Sequence, residues 1–330
     1  MIAAIAIGRN EGARLVRCLD SLQGQGNQAQ GNQAQVGRIV YVDSGSTDGS
    51  VEMARARGVE VVELDMTKPF TAARSRNAGL DRLRQGERPE FVQLVDGDCE
   101  VRPDWIGKAA AFLRENPKVA VVCGRRRERF PEASVYNAQC DREWDTPVGE
   151  ARACGGDALM RMEALDQVGG YDPRLIAGEE PEMCVRLRQK GWKIWRLDAE
   201  MTLHDAAMTR FGQFWKRARR AGHAYAEGAW LHGAPPERHN VAQVKRAVLW
   251  GIVLPVAIVV LALIVSPWLL ALFAIYPVQI ARLARRGGNN RAAWENATLL
   301  TLAKFAEALG IAEFHLRRLT GKRAGLIEYK

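Results

Sequence analysis

Six cysteines are spread through the 330 residues without one Cys-x-x-Cys pair, and none stands at metal-ligand spacing from the five histidines. A cysteine-based metal site and a disulfide framework are therefore excluded, and free thiols in a reducing compartment are expected. No secretory leader is visible, because Met1 runs straight into the strand-like Ile2-Ala3-Ala4-Ile5-Ala6-Ile7. Charge is missing altogether from residues 247–281, and acidic charge is scarce beyond residue 214, where 17 Lys/Arg face 6 Asp/Glu. The formal net charge of +9 thus belongs to the region holding the long apolar segment. That placement favours an anionic membrane surface and argues against a nucleic-acid groove.

What is present is a series of short apolar runs that stop in polar or acidic residues. Residues 2–7, 38–42, 59–64, 91–95 and 119–123 read as buried strands, with helical stretches between them such as the one bearing Leu15, Leu19 and Leu22 on one face. This alternation predicts an α/β fold, a mostly parallel sheet with helices on both faces, whose ligands bind beyond the carboxyl ends of the strands. Residues 23–35 carry Gly-Asn-Gln-Ala-Gln twice in tandem. Such a polar repeat buries no face and is expected to be a mobile surface loop.

Three stretches carry chemistry. Asp96-Gly97-Asp98 closes the run at 91–95. In extended geometry both carboxylates point the same way and repel unless a cation lies between them, and Mg²⁺ or Mn²⁺ prefers such oxygen ligands. The plain alternative is a solvated acidic turn. Asp43-Ser44-Gly45-Ser46-Thr47-Asp48-Gly49 ends the second strand in capping and turn residues. Arg76 follows on a helix at about 71–84, where a guanidinium suits bidentate phosphate contact. The third stretch is Gly178-Glu179-Glu180-Pro181, which opens a helix ended by Gly191. Carboxylates there also complement the helix dipole.

Taken together, Asn10-Glu11, the Asp43 loop, Ala73-Arg74-Ser75-Arg76-Asn77-Ala78-Gly79, Asp96-Gly97-Asp98, Gly155-Gly156, Gly169-Gly170-Tyr171-Asp172 and Glu179-Glu180 with Arg186-Leu187-Arg188 and Gly191-Trp192 resemble a family 2 glycosyltransferase of GT-A fold over roughly residues 1–215. The resemblance implies an inverting sugar transfer from a nucleotide-diphosphate donor with a divalent cation. By position it implies donor contacts at Arg9, Glu11, Asp43 (nucleobase), Arg76 (base or diphosphate) and Asp96 (ribose). It implies metal ligands at Asp98 and, as in some relatives, His204, and a catalytic base at Glu180 or its neighbour Glu179. The first loop, Ile7-Gly8-Arg9-Asn10, departs from the family's usual Pro-x-Tyr-Asn. Two other readings compete. A nucleotidyltransferase would show a Gly-rich, Lys/Arg-bearing loop after strand one, of which Gly8-Arg9-Asn10-Glu11 is a poor version. A membrane-tethered sugar-nucleotide-binding subunit without catalysis would not need Asp98 and Glu180.

The uncharged 35 residues at 247–281 exceed one membrane span and suffice for two tight ones turning at Ser266-Pro267-Trp268. Lys245 and Arg246 at one end, with Arg282, Arg285 and Arg286 at the other, place both ends in the cytoplasm. Residues 291–319 look amphipathic, as a helix at a membrane interface would. The expected organisation is a catalytic domain at 1–215, a basic helical connector at 216–246, a transmembrane hairpin at 247–284 and an interfacial helix with tail at 285–330. The expected partners are a nucleotide sugar, a lipid-linked or glycan acceptor and the inner or plasma membrane, with the catalytic domain facing the cytoplasm and no nucleic acid.

Overall fold

A computed structural model describes residues 1–25 and 35–321. The tandem repeat expected to form a mobile loop falls mostly at 26–34, and the tail at 322–330, both outside the described residues. The chain divides into two compact units, one of residues 1–132 and 140–207, the other of 133–139 and 208–330.

In the first unit β1 (Ile2–Gly8), α1 (Ala13–Gln23), β2 (Val36–Asp43), α2 (Ser50–Ala56), β3 (Glu60–Glu63), α3 (Ala72–Arg84) and β4 (Phe91–Asp96) alternate as expected. There follow β5 (Cys99–Val101), α4 (Trp105–Glu115), β6 (Val119–Glu128), α5 (Val135–Glu143), β7 (Gly149–Ala151), β8 (Ala158–Arg161), α6 (Met162–Val168), α7 (Glu179–Gln189) and β9 (Lys193–His204). The strands lie side by side in the order β3-β2-β1-β4-β8-β6-β9-β5, with β7 on β9. The four strands from β3 to β4 are parallel, so the loops after β1, β2 and β4 open on one edge. β8 then enters antiparallel between β4 and β6 and turns the far half of the sheet into a mixed one. Every side chain of β1 from Ile2 to Ile7 is buried, which is why that strand reads as an unbroken apolar run rather than an alternating one. The helix at 72–84 starts where Thr71 accepts a hydrogen bond from the Arg74 amide through its side chain, at 3.1 Å.

Two local differences from the sequence reading matter for the site. The strand expected at 119–123 continues to Glu128, because Arg125–Glu128 pair with Glu200–His204 of β9. The extension brings Arg126, Glu128 and His204 to the same edge as Asp96. Second, β4 stops at Asp96 and residues 97–98 form a turn. Asp96 and Asp98 therefore do not share the extended geometry that would point them the same way.

The second unit holds α8 (Phe211–His232), α9 (Val241–Val248), a π-helical segment Leu249–Val253, α10 (Leu254–Ile264), a 3₁₀ segment Pro267–Ala274, α11 (Ile275–Arg286) and α12 (Arg291–Thr320). Two helices in it are long and apolar enough to cross a membrane, Val241–Ile264 and Pro267–Arg286, and the break between them falls at the expected turn. Connector, hairpin and last helix pack together, and Tyr136, from the 133–139 segment, stacks on Phe214 at 5.6 Å. α12 lays one face on α8 and leaves Trp294, Leu309, Leu316 and Leu319 exposed. The crossing is backbone on backbone: a Cβ at Gly222 would lie 2.0 Å from the Glu307 carbonyl oxygen, and one at Gly310 2.0 Å from that of Arg219. Ala226, Ala247, Ile311 and Phe314 close a small core beside it.

Gly222→Ala is accordingly expected to force the helices apart, at a cost of about 1–3 kcal/mol, whereas Gly212, which meets no atom within 4 Å, should accept alanine with little effect. Thermal unfolding of the two detergent-solubilised variants checks this, and equal midpoints would contradict the close crossing.

Candidate active site

The carboxyl edges of β1, β2 and β4 carry the first three site segments. Asp43 is buried, and its carboxylate accepts from the Tyr41 hydroxyl at 2.8 Å and from the Gly45 and Ser46 amides at 2.9 and 2.8 Å. Its visible work is to shape the loop after β2. That loop is tied to the first one: the Asn10 amide donates to Ser46 Oγ, the Thr47 amide to Asn10 Oδ1, and the Gly12 amide to Asp48. Arg9 lies exposed on this rim, and Glu11 is paired with Arg14 at 2.9 Å.

Arg76, on α3, is the hub. Only 3% of its side chain is exposed, and it meets three carboxylates: Nη2 reaches Asp96 at 2.9 Å, and Nη1 reaches Glu179 and Glu180 at 2.8 Å each. Its guanidinium also lies 5.6 Å from the centroid of the Tyr171 ring. The sequence reading aimed this arginine at the base or diphosphate; the structure commits both its amino groups to the protein's own acids. The approach is possible because residue 156 is glycine. A Cβ there would lie 2.7 Å from Arg76 Nη2 and 2.9 Å from Asp96 Oδ2. Of the two glutamates, Glu179 is the more enclosed, with side-chain exposures of 5% against 13%. Burial, and next the charge of Glu179, pushes the Glu180 carboxyl up to about 7 against the pull of Arg76.

Asp98 lies beside His204, with Oδ2 and Nε2 3.3 Å apart. Burial, reinforced by Arg126, lowers the imidazole's pKa, so at neutral pH it is the uncharged, metal-binding form. Its Nδ1 is buried without a hydrogen-bond partner among the described residues and stands 3.6 Å from Glu128. Two ligands in neighbouring octahedral positions at about 2.1 Å from Mg²⁺ lie ~3 Å apart, so this pair fits such an ion with little movement. Cys99, adjacent to Asp98, is held protonated by burial and is a poor ligand for a hard cation.

The structure thus brings together Asp96, Asp98, Arg76, Glu179, Glu180 and His204. Arg9, Glu11 and Asp43 lie on the loops at the same edge. It also adds residues the sequence reading had not assigned. Arg126 lies 3.5 Å from Asp96 and from Asp157, with its guanidinium 4.8 Å from the centroid of the Trp144 ring, whose edge-on partner is His204. Asp157 accepts from the Asp96 amide and from Thr202 Oγ1. The signals were there: Arg125-Arg126-Arg127 stood out as a charge run, and Asp157 follows the Gly155-Gly156 pair. Only the length of β6 shows which arginine faces the site. In the cluster around Asp96 and Asp98, six carboxylates (Asp96, Asp98, Glu128, Asp157, Glu179 and Glu180) face two guanidiniums, Arg76 and Arg126, among the described residues. This imbalance also suits a divalent cation.

Residues 5–169 match the family model described as Glycosyl transferase family 2. The succinoglycan biosynthesis protein ExoA of Rhizobium meliloti (strain 1021) is 26% identical over 191 residues, 54% of this chain and 57% of that protein. The probable glucomannan 4-beta-mannosyltransferase 15 of Arabidopsis thaliana is 27% identical over 47% of this chain and 32% of its own length. The chain thus spans less than two thirds of these curated relatives. Among solved structures, the mannosyltransferase PcManGT of Pyrobaculum calidifontis, in complex with GDP-Man and Mn²⁺, superposes with a TM-score of 0.64 at 20% identity, covering 94% of this chain and 86% of that one. The glucosyl-3-phosphoglycerate synthase of Mycobacterium tuberculosis gives 0.51 at 16% identity, covering 71% and 81%. These likenesses show the GT-A fold.

Replacing the hub tests the geometry. Arg76→Met leaves Asp96, Glu179 and Glu180 without their shared cation and is expected to cost about 3 kcal/mol or more. Without the guanidinium the folded-state pKa of Glu180 rises further above its unfolded value. The deficit should therefore be largest above about pH 7, where Glu180 ionises, and shrink as the pH falls. Thermal midpoints across pH read this out, and a loss that does not vary with pH would contradict the three-acid clamp.

Proposed function

Because the chain belongs to glycosyl transferase family 2, we propose that it transfers a sugar, with inversion, from a nucleoside-diphosphate donor to a hydroxyl of a glycan or lipid-linked acceptor at the cytoplasmic face of a membrane. The observation that carries this reading is the closeness of the Asp98–His204 pair to an arginine-clamped set of acids. Asp98 and neutral His204 would hold Mn²⁺ or Mg²⁺, which when bound offsets the charge developing on the leaving diphosphate. Asp96, fixed by Arg76 and Arg126, is the proposed ribose contact. Asp43 and the loop it shapes would meet the nucleobase, with Arg9 and Glu11 along the rim. Arg76 then acts by positioning, since its amino groups are already bonded to protein acids.

Glu180 is the proposed base. It takes the proton of the acceptor hydroxyl as that oxygen attacks the anomeric carbon opposite the diphosphate. A carboxyl lifted to about 7 is well matched to proton abstraction near neutral pH. Glu179 is more enclosed and shares Arg76 Nη1, so it would orient Glu180 and raise its pKa. The exposed apolar helices of the second unit, flanked by Lys245, Arg246, Arg282, Arg285 and Arg286, would attach the enzyme to the membrane with both ends on the cytoplasmic side. The name of the ExoA relative supports polysaccharide synthesis as the process.

Glu180→Gln should lower turnover by about 10²–10⁴-fold while donor affinity stays nearly unchanged, and Glu179→Gln should cost much less. In the parent enzyme, turnover should rise with pH through about 7 as Glu180 loses its proton, and that limb should vanish in Glu180→Gln. Steady-state transfer assays across pH decide the matter; the reverse ranking of the two variants would give the role to Glu179. Asp98→Asn should abolish the Mn²⁺-dependent part of donor affinity with the fold intact, and unchanged Mn²⁺-dependent binding by calorimetry would rule out the assigned ligand.

A further inference from the structure

We propose that the apolar hairpin is a wedge one leaflet deep, whose tip at Ser266-Pro267-Trp268 stops near the bilayer midplane instead of crossing. This rests on the membrane attachment proposed above and specifies its depth. The two arms and α12 meet at one level. A Cβ at Gly251, in the first arm, would lie 2.3 Å from the Lys304 carbonyl oxygen of α12. Tyr276, in the second arm, donates its hydroxyl to the Trp250 carbonyl at 2.6 Å and packs its ring 5.4 Å from Phe305. At that same level Lys304 is ion-paired with Glu307 at 2.6 Å. Charged groups inside hydrocarbon are costly, so this level belongs with the lipid headgroups. Lys245 and Arg246, five to six residues before Gly251, and Arg282, Arg285 and Arg286, six to ten after Tyr276, lie on the water side of that level and suit attraction to anionic headgroups.

Beyond that level the reach is short. Fifteen residues lead from Gly251 to Ser266, which as helix is ~22 Å. The return to Tyr276 takes ten, eight of them in the 3₁₀ segment, or roughly 20 Å. Half of a bilayer, hydrocarbon plus interfacial region, is about 20–22 Å. A full crossing would drag the Lys304–Glu307 pair ~10 Å into the acyl chains. The tip itself is built for hydrocarbon. Leu263, Ile264 and Val265 are 81%, 78% and 69% exposed, whereas the turn's backbone is bonded internally, Val265 and Ser266 amides to the Leu261 carbonyl and the Leu269 amide to that of Ser266.

The test uses the full chain with a spin label at Ser266→Cys and, separately, at Leu263→Cys; the six native cysteines are buried and stay unlabelled. The protein is added to preformed sealed vesicles of phosphatidylethanolamine and phosphatidylglycerol, and collisions with oxygen and with a water-soluble nickel chelate are measured by electron paramagnetic resonance. The proposal expects both labels to show high oxygen accessibility and no contact with chelate on either side. A Ser266 label reached only by chelate trapped in the lumen would overturn the depth and leave the attachment standing. Labels reached by external chelate would overturn the attachment and the depth with it.

Discussion

One buried arginine sets the geometry of the sheet's carboxyl edge. Arg76 joins α3 to the end of β4 and to the first turn of α7 by meeting Asp96, Glu179 and Glu180 at 2.8–2.9 Å. Three acids converging on one another would repel, and burial would drive them neutral. The guanidinium opposes that and succeeds only partly for Glu180, whose pKa stays at about 7. One interaction thus holds an acid in place and tunes another, and it depends on the missing side chain at Gly156.

The two units are held together by different physics. The first buries whole strands: Ala3 to Ala6 of β1 and Val40 to Val42 of β2 are all fully enclosed, and the rigid sheet carries charges at one edge. The second relies on small residues. Gly222, Gly251 and Gly310 each sit against the backbone of another helix, and the apolar side chains that would ordinarily fill a core are turned outward along α10 and the 3₁₀ segment. An outward apolar surface of that kind marks a contact surface, and two helices there are long and apolar enough to cross a membrane.

Much of this was legible in the sequence. Residues 2–7 are an unbroken apolar run, those at 38–42, 59–64 and 91–95 are mostly apolar and each is followed by an aspartate, and the break at Ser266-Pro267 is written in proline. Asp98 and His204 lie 106 positions apart in sequence and were paired by resemblance alone; what unites them is the pairing of β5 with β9, which sets Cys99 opposite His204. The length of β6 was not legible, because Arg125-Arg126-Arg127 looks like a solvated charge run until the β9 partner is known. Arg76 suits a contact with the base or diphosphate, and no local pattern shows that the helix opened by Glu179 and Glu180 reaches it. Longer-range pairing decides both cases, and a single chain's periodicity carries no record of it.

The most direct measurement on the central claim is pulsed electron paramagnetic resonance of the full-length protein with Mn²⁺ and a nucleoside diphosphate. If Asp98 and His204 form the donor's metal site, the bound ion must carry a nitrogen ligand. Imidazole nitrogen modulation is expected in the parent protein and should disappear in His204→Gln. A bound Mn²⁺ without nitrogen coupling, or no retained Mn²⁺ in the presence of the diphosphate, would contradict the account.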